Sequence, residues 1–190
     1  MSRSASGVRR NREVTILAYE GYDISQFRDS LESAVILYGL EPNFASDAFI
    51  TSDISELEKQ RNQRDAVKVI LFARNILKSS DENPRYSLVV TRNDLFSNNL
   101  HFVFGLANRE MGIGVLSTSR LTLRDEDVTP TQIKERIFKE AAHEIGHLGG
   151  LAHCENGTCL MAFSNTLEEV DQNLPLLCED CKRKLRTDGR

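Results

Sequence analysis

Five residues in one short stretch carry metal-hydrolase chemistry by type and spacing: His143, Glu144, His147, Gly150 and His153, in the order His-Glu-x-x-His-x-x-Gly-x-x-His. Two histidines four apart stand one turn apart on the same face of a helix, so both imidazoles can reach one ion. The glutamate beside the first histidine flanks that face and can hold a water without ligating the metal. Gly150, after Gly149, supplies the left-handed turn that lets the chain double back and bring up His153 as a third ligand. Three neutral imidazoles suit Zn²⁺ and leave the fourth tetrahedral position to a water, whose pKa the ion lowers from about 15.7 to about 7. Glu144 is then the expected general base, taking the remaining proton and passing it to the leaving amine. The motif uses three of the chain's 4 histidines. The remaining one, His101, opens a strand-like run and reads as structural.

The chain's 4 cysteines follow at once. Cys154, Cys159, Cys178 and Cys181 form a C-x4-C pair and a C-x2-C pair, a spacing that suits a tetrahedral four-thiolate zinc site. Two disulfides, or a redox-active pair at Cys178 and Cys181, are the competing readings. The second lacks a helix-start setting that would depress a thiol pKa. A structural zinc contributes about 10–16 kcal/mol of binding free energy, as much as the net stability of a typical domain. The apolar-poor C-terminal quarter is expected to depend on it. His153 and Cys154 are adjacent, and in an extended segment successive side chains point to opposite sides. One would then face the catalytic ion and the other the structural ion. Met161, two residues past Cys159, reads on its own as gap-filling core.

Thr129-Pro130 is a helix start, a hydroxyl cap followed by a proline whose missing N–H costs nothing there. Ile133, Ile137, Ala141, Ile145 and Leu148 then recur every three or four residues as a buried stripe, with His143 and His147 on the side away from it. Upstream, Val14–Tyr19 reads as a strand and Asp23–Tyr38 as a helix closed by Gly39. Residues 41–51 read as a further strand, and Asp53 as the cap of a long helix reaching Lys78. After a loop at Ser79–Pro84, three apolar runs read as strands: Ser87–Thr91, His101–Gly105 and Gly112–Ser117. A last helix is expected from Thr166 to Asn173. The order βαβα followed by several strands predicts an α+β (mixed α/β) fold, a mixed sheet with helices packed on it.

A chain of 190 residues, 40% hydrophobic and 27% charged, is the size of one domain and has the composition of a globular one. It holds no run of about 18 apolar residues, so no membrane partner is expected. Its net charge of −4 argues against nucleic acid. The basic residues at each end (Arg3, Arg9, Arg10 and Arg12; Lys182, Arg183, Lys184, Arg186 and Arg190) read as solvated tails. The stretch Met1–Arg10 lacks a secretory apolar run, which points to the cytoplasm and reduced thiols.

Together these residues resemble the metzincin metallopeptidases, and within them the archaemetzincin family, in which four cysteines surround the long histidine motif and the first directly follows its third histidine. Asp94-Leu95-Phe96, Phe102–Gly105 and Ser117–Leu121 are similar to that family's sheet region. The resemblance implies a twisted mixed sheet with flanking helices over the cleft (about 13–150) and a small zinc-stabilised C-terminal lobe (about 151–185). Met161 would be the turn methionine packed under the imidazoles. The strand bordering the cleft, placed at Gly112, Ile113, Gly114, Val115 and Leu116, would take an extended peptide as an added strand. Some metzincins have a tyrosine just after the methionine, whereas Tyr19, Tyr22, Tyr38 and Tyr86 all lie far upstream. The expected activity is that of a monomeric zinc-dependent peptidase with two zinc ions, acting on peptides. A catalytically weak or inactive zinc-bound module that binds peptide or protein is the alternative, and a four-cysteine nucleic-acid adaptor a more distant one.

Overall fold

The computed structural model of the chain describes residues 12–45, 62–79, 84–98, 100–123 and 128–188. Three apolar runs build the centre of the molecule: Glu13–Ala18 (β1), Tyr86–Thr91 (β4) and Ile113–Ser117 (β8). They lie parallel and adjacent, with Val14 opposite Tyr86 and Leu88 opposite Gly114. Each is apolar on both pleats because both faces of the sheet are covered. Val14, Ile16, Leu88, Val90 and Leu116 face one core, while Leu17, Val89, Ile113 and Val115 face the other.

The helices divide between these faces. Arg28–Ile36 (α1) and Pro130–Leu148 (α3) pack on the first through Leu31, Val35, Ile137, Ala141 and Ile145. Ala66–Ser79 (α2) packs on the second through Ala66, Val69, Ile70 and Ala73. Glu41–Phe44 (β2) runs parallel to β1 on its outer side. A small second sheet joins Arg64–Asp65 (β3), Leu95–Ser97 (β5) and Leu100–Val103 (β6). Gly105–Asn108 (β7) then leaves that sheet and pairs antiparallel with β8, so the main sheet has the order β2-β1-β4-β8-β7. Leu167–Gln172 (α4) and Glu179–Asp188 (α5) follow α3.

Several expectations shift on this frame. The stretch Gly112–Leu116 does not border the cleft as a free edge. Ile113–Ser117 is interior, hydrogen-bonded to β4 on one side and to β7 on the other. The apolar run at 101–105 breaks at the buried Phe104. Its first part stays in the small sheet, while the chain from Gly105 folds back along β8 through a tight turn, where the Gly112 N–H donates to the Arg109 carbonyl at 3.2 Å and Gly112 has φ 68°. A turn this short returns the chain antiparallel onto its neighbour, which makes β7 the edge.

The helix expected from Asp23 begins as a 3₁₀ turn at Ser25–Phe27 and becomes α-helical only at Arg28. The helix expected from Asp53 starts at Ala66, after β3, and its earlier part lies outside the described residues. The Thr166 side chain caps α4, and Glu169 returns the bond to the cap backbone. The first core continues beyond α3 through Leu160, Met161, Val170, Leu177 and Cys181.

Candidate metal centre and its cleft

The helix that bears the motif is capped as its sequence requires. The Thr129 hydroxyl accepts from the Gln132 N–H, and Pro130 is the first helical residue. The apolar stripe is fully used, with Ile133, Ile137, Ala141, Ile145 and Leu148 all buried. The opposite side is not solvent, however. Arg136, Lys139, Glu140, His143 and Glu144 are buried as well: the chain after Gly150 folds back onto Arg136, Lys139 and His143, and β7 covers Glu144.

That return begins at Gly150, with φ 99°. It brings His153 to His147 with ring centroids 4.8 Å apart and to His143 at 5.3 Å. The donor atoms of the three imidazoles lie within 4.8 Å of one another. Each helix histidine is oriented from behind. Nδ1 of His143 lies 2.9 Å from the Leu160 carbonyl, and Nδ1 of His147 lies 2.7 Å from the Leu151 carbonyl. A carbonyl only accepts, so Nδ1 carries the proton in both rings and Nε2 presents a lone pair. The two Nε2 atoms face each other at 2.9 Å. Lone pairs at that separation repel unless a cation lies beside both. Zinc bonds of about 2.0–2.1 Å at tetrahedral angles place ligand nitrogens roughly 3.3 Å apart, close to this spacing. Burial, reinforced by the other rings of the cluster, lowers the His143 pKa to about 3, and burial is also the leading cause of the lowered values at His147 and His153. All three are therefore neutral and ready to ligate at neutral pH.

Glu144 is 3% exposed and, among the described residues, its Oε2 has no hydrogen-bond partner, although it lies in the wall of the cleft. A buried carboxylate oxygen left unpaired costs free energy in a finished core, and this residue lines the cleft. One turn earlier, Glu140 is buried beside it. Desolvation and this carboxyl neighbour raise the Glu144 pKa well above the usual carboxylate range, and desolvation raises that of Glu140. A cation on the imidazoles opposes that rise. The backbone of β7 closes over the carboxyl group at Gly105, where a Cβ would stand 2.5 Å from Glu144 Oε1.

The four sulfurs form a second group. Cys154 Sγ lies 3.7 Å from Cys178 Sγ, and Cys159 Sγ lies 3.8 Å from Cys181 Sγ. A disulfide needs about 2.05 Å, and the four thiols are free. Tetrahedral zinc with bonds of about 2.3 Å separates its sulfurs by roughly 3.8 Å, the spacing found here. The N–H groups of Met161 and Cys178 both point at Cys159 Sγ, at 3.5 and 3.4 Å. The backbone N–H of Cys181 is the chief cause of a Cys178 thiol lowered to about 7, while burial raises Cys154 and Cys181. The adjacent residues His153 and Cys154 do face different groups, one the imidazoles and the other the thiols.

Comparison with known proteins decides the family. The model of peptidase family M54 matches residues 48–187. The chain belongs to that family, the archaemetzincins. The archaemetzincin of Pyrococcus furiosus is 32% identical over 164 residues, covering 85% of this chain and 84% of the relative. The crystal structure of archaemetzincin from Methanopyrus kandleri superposes with a TM-score of 0.79 at 30% identity, covering 94% of this chain and 96% of that one. A zinc-dependent peptidase from Methanocorpusculum labreanum follows with a TM-score of 0.73 at 26% identity, covering 90% and 99%. Membership makes the chain a zinc metalloprotease, and the histidine and cysteine groups are those whose geometry could hold a metal ion.

Met161 is fully buried and meets the archaemetzincin helix between its two histidines. A Cβ at Gly146 would stand 2.5 Å from Met161 Sδ and 2.6 Å from the Tyr38 hydroxyl oxygen. This explains a glycine in a helix interior, where it costs about 1 kcal/mol relative to alanine. Tyr38 also donates to the Ala142 carbonyl at 2.7 Å. It is one of the upstream tyrosines, and it supports the helix from beneath rather than from the cleft. His101 belongs to neither group: it is exposed, and its carbonyl accepts from the Gln63 amide at 2.8 Å. Sequence reasoning missed Tyr38, Gly105, Arg109, Glu140 and Phe163. Glu140 alone carried a signal, since it stands four residues before Glu144 on the same helical face.

Proposed function

We propose that this archaemetzincin hydrolyses peptide bonds in an extended peptide laid along β7, with one zinc ion on His143, His147 and His153, a second on the four thiolates, and Glu144 as general base. The reading is carried by Glu144, a buried carboxyl with an unpaired oxygen, fixed between the edge strand and the three imidazoles. Zinc bound there supplies a Lewis acid for the scissile carbonyl and lowers the pKa of a neighbouring water to about 7. Glu144 takes the proton of the attacking water and hands it to the departing amine. Gly105–Asn108 is an edge of the main sheet among the described residues, where a substrate backbone can add as a further strand. The cavity of about 360 Å³ beside them is walled by Phe102, Phe104, Leu160, Phe163 and Val170, which suits an apolar side chain. The Phe163 ring, half exposed, leans on His153 with centroids 4.9 Å apart. It occupies the stretch just after the methionine, where a tyrosine assists some metzincins. A phenyl ring has no hydroxyl to donate, so transition-state hydrogen bonding falls to Glu144 and the strand backbone.

Glu144→Gln tests the assignment. The substitution removes the proton acceptor and keeps the volume, so both zinc ions and the melting temperature should persist while peptide turnover falls by about 10²–10⁴-fold. A variant that retains zinc and cleaves a responsive peptide at the wild-type rate would remove the general base. A wild type that binds peptides and cleaves none in a broad library would favour the binding-module reading.

A further inference from the structure

The turn that closes β7 onto β8 carries a basic side chain to the cleft. Arg109 directly follows β7, is itself exposed, and lines the same cavity as His147 and His153. Its guanidinium lies flat against Gly150. A Cβ built there would stand 2.6 Å from Cζ and 2.7 and 2.8 Å from the two terminal nitrogens. Three nearly equal distances mean that the plane of the group faces the glycine. Gly150 is thus needed twice: at φ 99° for the turn that returns His153, and without a side chain as the seat of this cation.

The position along the cleft follows from the same contacts. Gly105 abuts Glu144 and Arg109 abuts Gly150, so the edge strand spans the site from the carboxyl group to the end of the helix. At about 3.3 Å per residue, the steps from Gly105 to Arg109 cover roughly 13 Å. A peptide paired with β7 therefore meets the guanidinium a few residues away from the bond beside Glu144. The two ends also differ in chemistry. Glu140 and Glu144 supply carboxyl groups at one, and the nearby Lys139 ammonium is engaged with the carbonyls of Val170 and Asp171 and the Glu135 carboxylate. At the other end stands Arg109, whose planar fork matches a carboxylate with two parallel N–H···O bonds.

We infer that Arg109 is a specificity-determining residue that recognises a peptide carboxylate at the Gly150 end of the cleft. The inference rests on the peptidase reading above for the placement of the peptide along β7. The carboxylate belongs either to an Asp or Glu side chain or to the C-terminus of a short substrate, and the two sources are separable.

The test uses peptides of one apolar-centred sequence in which Glu, Gln or Lys is walked across each position, with the C-terminus free or amidated. Binding is measured by calorimetry on the zinc-loaded full chain carrying Glu144→Gln, alone and combined with Arg109→Gln, Arg109→Lys or Arg109→Glu. Cleavage is measured in parallel with the wild type. One position, or the free terminus, should show a carboxylate preferred over its neutral counterpart by about three- to ten-fold. Arg109→Gln should bring that ratio to about one, Arg109→Lys should keep part of it, and Arg109→Glu should favour Lys at the same place. Dependence on the walked Glu assigns a side chain, and dependence on the free terminus assigns the C-terminus. A ratio that none of the three variants moves, at any position or terminus, overturns the inference. Arg109-dependent binding without wild-type cleavage would leave it standing and sink the peptidase reading. Wild-type cleavage with unmoved ratios would do the reverse.

Discussion

Replacing Gly105 by alanine tests how tightly the strand and the general base are fitted to each other. A Cβ at that position would lie 2.5 Å from Oε1, 2.7 Å from Cγ and 2.8 Å from Cδ of Glu144, where ordinary contact begins at 3.4 Å. Relief requires the carboxyl group, or the strand, to move by about 0.9 Å. Displacements of that order at a reacting group cost about 10²-fold in rate, equivalent to about 2.7 kcal/mol of barrier. Stability should change far less, because alanine regains about 0.5–1 kcal/mol of backbone entropy over glycine and offsets part of the crowding. The assay is steady-state cleavage of a responsive peptide by the zinc-loaded variant, with zinc content and thermal melting measured on the same sample. We expect kcat to fall about 100-fold with zinc content unchanged and melting near the wild type. A kcat within threefold of wild type would show that Glu144 tolerates displacement from β7 and would refute the fit described here.

Three further outcomes follow from the same geometry. Cys178→Ser should lower the zinc content by one ion and destabilise the chain, because the remaining thiolates keep only part of the tetrahedron; an unchanged melting temperature would speak against a structural ion there. His153→Ala should chiefly release the ion of the imidazole group and leave the thiolate ion in place, as read by elemental analysis and thiol reactivity. Tyr38→Phe, which deletes the hydroxyl that donates to the Ala142 carbonyl, should cost about 1 kcal/mol. This corresponds to about 2–4 °C of melting temperature for a domain of this size, with the zinc content unaffected.

The parts of this molecule that were legible in its sequence are those governed by local periodicity. The four-residue step from His143 to His147, the Thr129-Pro130 start and the glycines at the end of the helix each act within one or two turns, and each is found where its spacing places it. Strand order is a different kind of information. The run Ile113–Ser117 is buried at every position, and an uninterrupted apolar run signals a strand with neighbours on both sides rather than a border. That signal was present, but which segment covers its flank depends on a turn at 109–112 and on the break at Phe104, and neither has a period. Tyr38 and Gly146 meet across more than a hundred residues, as do Arg109 and Gly150 across about forty. No property of either partner announces the other. Glycines in particular were read for the turns they permit, although at 105 and 146 their use is the absence of a side chain. The second buried face of α3 escaped for the same reason: its cover comes partly from residues 151–173, folded back by the turn the sequence did disclose, and partly from β7 at Gly105.

One peptide bond separates a donor of the imidazole group from a donor of the thiolate group, so on the proposed reading, with an ion in each, the two binding events are coupled. Ordering the segment 153–154 is a shared cost, met by whichever ion arrives first and spared the second. By reciprocity each ion must then raise the other's affinity by the same factor, so loading would be cooperative although no ligand is common to both. Loss of one ion would then weaken the hold on the other without releasing it, by no more than the cost of ordering the shared segment, about 1–2 kcal/mol per residue.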